Sequence, residues 1–131
     1  MRIELYMVGA SLLLALVQIG LAGHFKTRQY GVGWNTGARD ETLPPLDRLA
    51  GRLVRAQANL FETLPLFAAA VIIAHVSGNE GDLTLWGCWM YLLARIVYVP
   101  LYAAGIPFVR SLVWLVSLVG LVMVLAAVLT G

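Results

Sequence analysis

Residues 52–76 read RLVRAQANLFETLPLFAAAVIIAHV. The second half, from Leu64 to Ala74, is a clean apolar run, and the first half carries Arg52, Arg55, Gln57, Asn59 and Glu62. A membrane-spanning helix needs about 20 mostly apolar residues, and residues 56–76 supply them. Arg52, Arg55, Asn59 and Glu62 are three, four and three residues apart. That spacing puts them on one face of a helix. One helix thus combines a half suited to lipid with a stripe that lipid would reject.

Three further stretches have the same character. Residues 5–23 hold one strongly polar side chain, Gln18; residues 83–103 contain Arg95; residues 111–130 carry no charge after Arg110. The chain is 60% hydrophobic and 12% charged, where soluble domains carry about 25% charge. Its mean hydropathy is +0.83. The fold class expected is all-α and integral to a membrane, a single domain over residues 1–131 with four spans. The first span resembles a signal peptide only superficially. Glu4 follows Arg2 closely, the run is longer than a typical signal core, and no Ala-x-Ala site precedes a soluble domain. It reads as an uncleaved helix.

The composition also excludes functions. Nine Lys and Arg against seven Asp and Glu leave a net charge of +2, too little for a surface that tracks nucleic-acid phosphates. Cys88 is the only cysteine, so neither an intrachain disulfide nor a cysteine-cluster metal site can form. His24 and His75 fall near opposite membrane faces, and no metal site is expected.

The connections differ in kind. Residues 24–55 form a long polar loop with the Pro44-Pro45 pair, and Asp47 or a neighbour starts a helix of about 30 residues running into the second span. Residues 77–82 make a tight acidic turn, and residues 104–110 hold Gly105 and Pro107. Lys26, Arg28, Arg39, Arg48, Arg52 and Arg55 lie in the first loop and Arg110 in the third, while the second turn has no Lys or Arg. The positive-inside rule then predicts loops 24–55 and 104–110 on the cytoplasmic side and both chain ends opposite, with the inner membrane as the location in a bacterium.

Ionisable residues inside spans are functional candidates by default. The third span adds Arg95, Tyr98 and Tyr102 at helical spacing, and Arg110 stands at the mouth of the fourth, with Ser111 beside it and Trp114 one turn deeper. Each has a plainer reading. Arg52 and Arg55 could snorkel to the interface; Glu62 could pair with Arg55 or Arg95 as glue between helices; Asn59 could serve helix packing; the tyrosines could belong to an aromatic belt. Their convergence at one end favours a shared polar site. Arginine forks suit carboxylates and phosphates, Glu62 suits an ammonium group, and Asn59 offers donors and an acceptor. A small peptide with two carboxylates and one amine fits this set.

The run from Arg55-Ala56-Gln57-Ala58-Asn59-Leu60-Phe61-Glu62 to Phe67 resembles the signature of the MAPEG family, the membrane-associated proteins of eicosanoid and glutathione metabolism. Leu92-Leu93-Ala94-Arg95-Ile96-Val97-Tyr98 through Tyr102 resembles the third helix of the leukotriene C synthase-like branch, and Gly37-Ala38-Arg39-Asp40 an element of bacterial members. The resemblance implies a left-handed four-helix bundle assembling as a homotrimer, with glutathione between neighbouring subunits at the cytoplasmic end. Carried over by position, it implies glutathione contacts at Arg28, Arg55, Gln57, Asn59, Glu62, Arg95, Tyr98, Tyr102 and Ser111, and a thiolate-stabilising role for Arg110. Thr63 departs from a tyrosine of some members, Ala58 from an arginine of the prostaglandin E synthase branch, and Pro100 threatens to displace Tyr102.

The expected function is a glutathione-dependent transferase or peroxidase acting on a hydrophobic electrophile or lipid hydroperoxide in the membrane. Its partners would be two further copies of the chain, membrane lipid and a hydrophobic acceptor. The alternative is a non-catalytic, lipid-binding accessory subunit of the same fold. A transporter is weaker, since the spans show no inverted repeat.

Overall fold

The computed structural model describes residues 2–131. The helices are α1 (Ile3–Tyr30), α2 (Val32–Thr36), α3 (Arg48–Ser77), α4 (Asp82–Ala103) and α5 (Pro107–Thr130). All but α2 are long and apolar enough to cross a membrane. With 28 and 30 residues, α1 and α3 are about 42 and 45 Å long. Both exceed the hydrocarbon core of about 30 Å and stand out into the headgroup layer or beyond.

The local chemistry explains the boundaries. The Asp47 carboxylate accepts from the Ala50 N–H at 2.9 Å, an N-cap that starts α3 where the sequence placed it. At the far end, Gly78 takes a left-handed φ of 76°, and the Asn79 N–H reaches the Ala74 carbonyl at 2.9 Å. This Schellman closure needs a residue without a Cβ strain penalty. α3 passes unbroken through Pro65, and α4 through Pro100.

Two expected connections are shorter than predicted. α1 continues past Gly23 to Tyr30, because nothing between them breaks a helix before Gly31, whose φ is 98°. Lys26 and Arg28 are therefore helical, not in a loop. The rest of the 24–55 segment contains α2 and is tied down. The Tyr30 hydroxyl donates to the Pro44 carbonyl at 2.6 Å, and the Gln29 amide donates to the Pro45 carbonyl and accepts from the Asp47 N–H. At the other connection, α5 starts at Pro107 and not near Ser111. Proline in the first turn has its φ preset and gives up no helical N–H bond. Arg110 thus lies within the first turn of α5.

The helices run up, down, up and down. The start of α1 meets the start of α4 where Thr84 Oγ1 donates to the Glu4 carboxylate at 3.0 Å. The end of α1 meets the start of α3 at Gln29 and Asp47. α4 and α5 cross through Gly87 and Gly120: a Cβ on Gly87 would lie 2.7 Å from the Gly120 carbonyl oxygen, and one on Gly120 would lie 2.5 Å from the Gly87 oxygen. Small residues permit this close approach where no hydrophobic effect drives helices together. Between α3 and α4, Phe67 stacks on Tyr91 at 4.0 Å, and the Tyr91 hydroxyl lies 2.9 Å from Thr63 Oγ1.

The chain therefore has two polar poles. One holds the two ends of the described chain and the α3–α4 turn. There Arg2 bridges Glu4 (3.5 Å) and Glu80 (3.4 Å), and Glu80 lies 3.0 Å from His75. The other pole, with the α1–α3 connection and the α4–α5 turn, gathers the arginines.

Candidate anion-binding site

The arginine pole is built around the ring of Tyr102. Arg55, from the second turn of α3, donates through Nε to the Tyr102 hydroxyl at 3.2 Å, its guanidinium carbon 5.9 Å from the ring centroid. Arg110, from the first turn of α5, lies over the same ring at 4.6 Å. Tyr98 meets Tyr102 edge-on with centroids 5.5 Å apart. One turn deeper, the Arg95 guanidinium lies over Tyr98 at 4.5 Å and donates through Nη1 to Asn59 Oδ1 at 2.8 Å. Six residues of the expected set, Arg55, Asn59, Arg95, Tyr98, Tyr102 and Arg110, thus form one continuous chain of contacts across α3, α4 and α5. Pro100 does not displace Tyr102, because α4 absorbs the proline without a break.

Among the described residues, no carboxylate stands within salt-bridge distance of Arg52, Arg55, Arg95 or Arg110. Arg95 is almost fully buried at 1% exposure, and its Nε and Nη2 have no hydrogen-bond partner among the described residues. These two atoms form one edge of the guanidinium, the edge that grips a carboxylate side-on. Arg55 and Arg110 both lie against the ring of Tyr102, so two positive charges act on the same region. The pole is therefore strongly cationic, a chemistry suited to anionic groups.

Other expected residues stand apart. Glu62 is exposed on α3 and pairs with neither Arg55 nor Arg95. The helix-to-helix glue suggested for it is supplied instead by Asn59, whose neutral amide reaches Arg95 without the cost of burying a second charge. Gln57 is half-buried on α3. Ser111 donates to the Pro107 carbonyl of its own helix at 3.3 Å. Arg28 lines a separate cleft of about 400 Å³ with Phe25, Gln29, Asp47 and Leu49, so the fold does not bring it to the tyrosines. Arg52, read from its spacing as part of the ligand stripe, turns to the end of α4 and donates to the Ala103 carbonyl at 3.3 Å. Helical spacing gives the face on which a long side chain starts, not the direction it takes.

Two buried polar residues lie outside the contacts of this site. Gln18, on α1, is buried with both amide atoms unpaired. Glu4 is fully buried at the opposite pole. Its burial follows from the α1–α4 pairing through Thr84, which the sequence does not encode locally.

A four-span helical bundle with arginines outside any salt bridge concentrated at one pole defines the class: a multi-pass membrane protein with one cationic pole. The chain belongs to the MAPEG family, whose model matches residues 3–130. No curated protein and no solved structure gives a significant match.

Proposed function

We propose that the protein is a glutathione-dependent membrane transferase or peroxidase acting on a hydrophobic acceptor. The observation that carries this reading is the set of arginines converging on Tyr98 and Tyr102 without a carboxylate to neutralise them. Glutathione offers two carboxylates, one ammonium and one thiol, and family membership makes it the ligand of choice. Arg55 would hold a carboxylate, and the unpaired but buried edge of Arg95 would hold another once a neighbouring side chain gives way. Asn59 would fix Arg95, and the exposed Glu62 would receive the ammonium.

Arg110 has a different task. A free thiol has a pKa near 8.5 and is mostly protonated at neutral pH. A guanidinium beside the sulfur favours the anion, by about 1.4 kcal/mol for each unit of lowering. The first turn of α5 adds its own unpaired N–H groups and positive dipole end. The ionised thiol supplies the nucleophile, and the protein's part is to hold its charge facing the apolar acceptor.

We further propose that the protein works as a homotrimer with this pole cytoplasmic, Arg28 and Gln57 of α1 and α3 lining the boundary between subunits. Glutathione binding in lipid nanodiscs, followed by calorimetry and by the ultraviolet absorbance of its thiolate, tests the reading. Saturable binding with thiolate absorbance at neutral pH is expected; absence of binding overturns it. A second reading, a non-catalytic lipid-binding subunit, is favoured by one observation: Arg52 and Arg95 each bond to another helix. Binding without thiolate absorbance would support that reading.

A further inference from the structure

The side chain of Arg52 crosses from α3 to the turn between α4 and α5. Its Nη1 donates to the Ala103 carbonyl at 3.3 Å. That carbonyl belongs to the last turn of α4, where backbone acceptors lack helical partners and a positive charge is favoured. The guanidinium also covers Gly105. A Cβ built there would meet Arg52 Cζ and Nη2 at 2.6 Å and Nη1 at 2.8 Å. Near-equal distances to three atoms of the plane mean that the flat face of the guanidinium lies over the glycine. Gly105 has a φ of 77°, with its N–H on the Tyr102 carbonyl and the Ile106 N–H on the Leu101 carbonyl. This turn is a Schellman closure, and the arginine face seals its outer side.

The turn leads directly into Pro107 and the first turn of α5, which carries Arg110. Arg110 in turn stacks on Tyr102 at 4.6 Å. Arg52 and Arg110 thus grip adjacent residues at the end of α4, Ala103 and Tyr102. We propose that Arg52 is a positioning residue: it pins the α4–α5 turn and thereby fixes where Arg110 stands. The pinning stands on the structure alone, whereas the consequence for a bound thiol rests on the glutathione reading above.

The test has two arms, both on the full chain in nanodiscs. The first is hydrogen–deuterium exchange of residues 104–110. Arg52→Ala should speed exchange there about tenfold, the equivalent of one charge-assisted hydrogen bond. Arg52→Lys, which keeps the charge but not the flat face, should recover part of the protection. Gly105→Ala should loosen the turn as well, since its Cβ takes the place of the guanidinium. Its effect should be smaller in the Arg52→Ala background, where that clash is gone and only the φ strain remains. The second arm titrates the bound glutathione thiol by its absorbance. Arg52→Ala should move the titration to higher pH while affinity changes little. Unchanged exchange in Arg52→Ala overturns the pinning. Faster exchange with an unmoved titration overturns the link to Arg110. Lost affinity with unchanged exchange makes Arg52 a ligand clamp and overturns the inference. If the unaltered protein binds no glutathione, the proposed function falls, and the exchange arm still decides the pinning. Should Arg52→Ala fail to assemble, Arg52→Lys and Gly105→Ala supply the same comparison.

Discussion

At the scale of single residues, the arginines divide by what they already hold. Arg110 stacks on Tyr102 at 4.6 Å and takes part in no salt bridge, so its charge remains available to a sulfur anion. Charge stabilisation specific to the reactive state shows in rate more than in affinity. Arg110→Ala should keep much of the glutathione binding, lose the thiolate absorbance at neutral pH, and lower turnover by about 10²–10³-fold, the cost of one oriented electrostatic donor. Activity should recover in part as pH rises toward about 8.5, where a thiol ionises unaided. A variant that turns over normally would remove Arg110 from the chemistry. Asn59 makes the opposite kind of prediction. Its Oδ1 is the one hydrogen-bond partner of the buried Arg95 guanidinium among the described residues. Asn59→Ala should destabilise the protein by about 1.5–3 kcal/mol, the range for a bond to a charged group, seen as a lower Tm in detergent. An unchanged Tm would mean that Arg95 finds another acceptor. The residue types of this site were legible in the sequence because arginine inside a span is costly and hence informative. Their partners were not: Asn59 with Arg95 and Arg52 with Ala103 depend on side-chain reach between helices that spacing along one helix does not encode.

At the scale of elements, the spans were legible because length and apolarity suffice to read them. The ends were less so, since polar residues such as Lys26 and Arg28 extend a helix beyond lipid without breaking it. The α4–α5 crossing was not legible, because a glycine in a span looks the same whether it faces lipid or another backbone. Gly87 and Gly120 face each other: a Cβ on Gly120 would lie 2.5 Å from the Gly87 oxygen and 2.8 Å from the Tyr91 nitrogen. Backbone atoms cannot swing aside as a flexible side chain would. Gly120→Ala must therefore push α5 away from α4, at a cost of about 1–3 kcal/mol for overpacking. Separation should also disturb Tyr91, which stacks on Phe67, and the near-ultraviolet circular dichroism should change with the Tm. Gly9, on the outer face of α1 with nothing within 4 Å, is the control. Gly9→Ala should be neutral or stabilising by up to about 1 kcal/mol, the helical advantage of alanine. Equal effects at the two positions would contradict the close crossing.

For the molecule as a whole, the outward face of α3 bears on the proposed assembly. Arg55, Ala58, Glu62, Pro65, Ala69, Ile72 and Val76 are all exposed in the single chain, and they recur three and four residues apart. That is the spacing of a helix seam that meets another helix. Glu62 lies in this seam, within the span, with no salt-bridge partner among the described residues. A carboxylate facing lipid costs about 2.5–3.5 kcal/mol even on the lenient insertion scale, so a lone subunit in a bilayer would carry that penalty unrelieved. Small residues at Ala58 and Ala69 would let a neighbouring helix approach, and a neighbour's arginine or a bound ammonium would compensate Glu62. The two states predict opposite signs for one substitution. If the protein is a monomer, Glu62→Leu removes an unfavourable charge and raises stability. If α3 meets its counterparts in a trimer, Glu62→Leu strands the charge that Glu62 compensates and weakens the assembly. The expected outcome is a trimer by native mass spectrometry in mild detergent, shifting toward smaller species in Glu62→Leu, with glutathione affinity falling alongside. A monomeric protein stabilised by the leucine would place Glu62 against lipid and remove the subunit boundary from the proposed site.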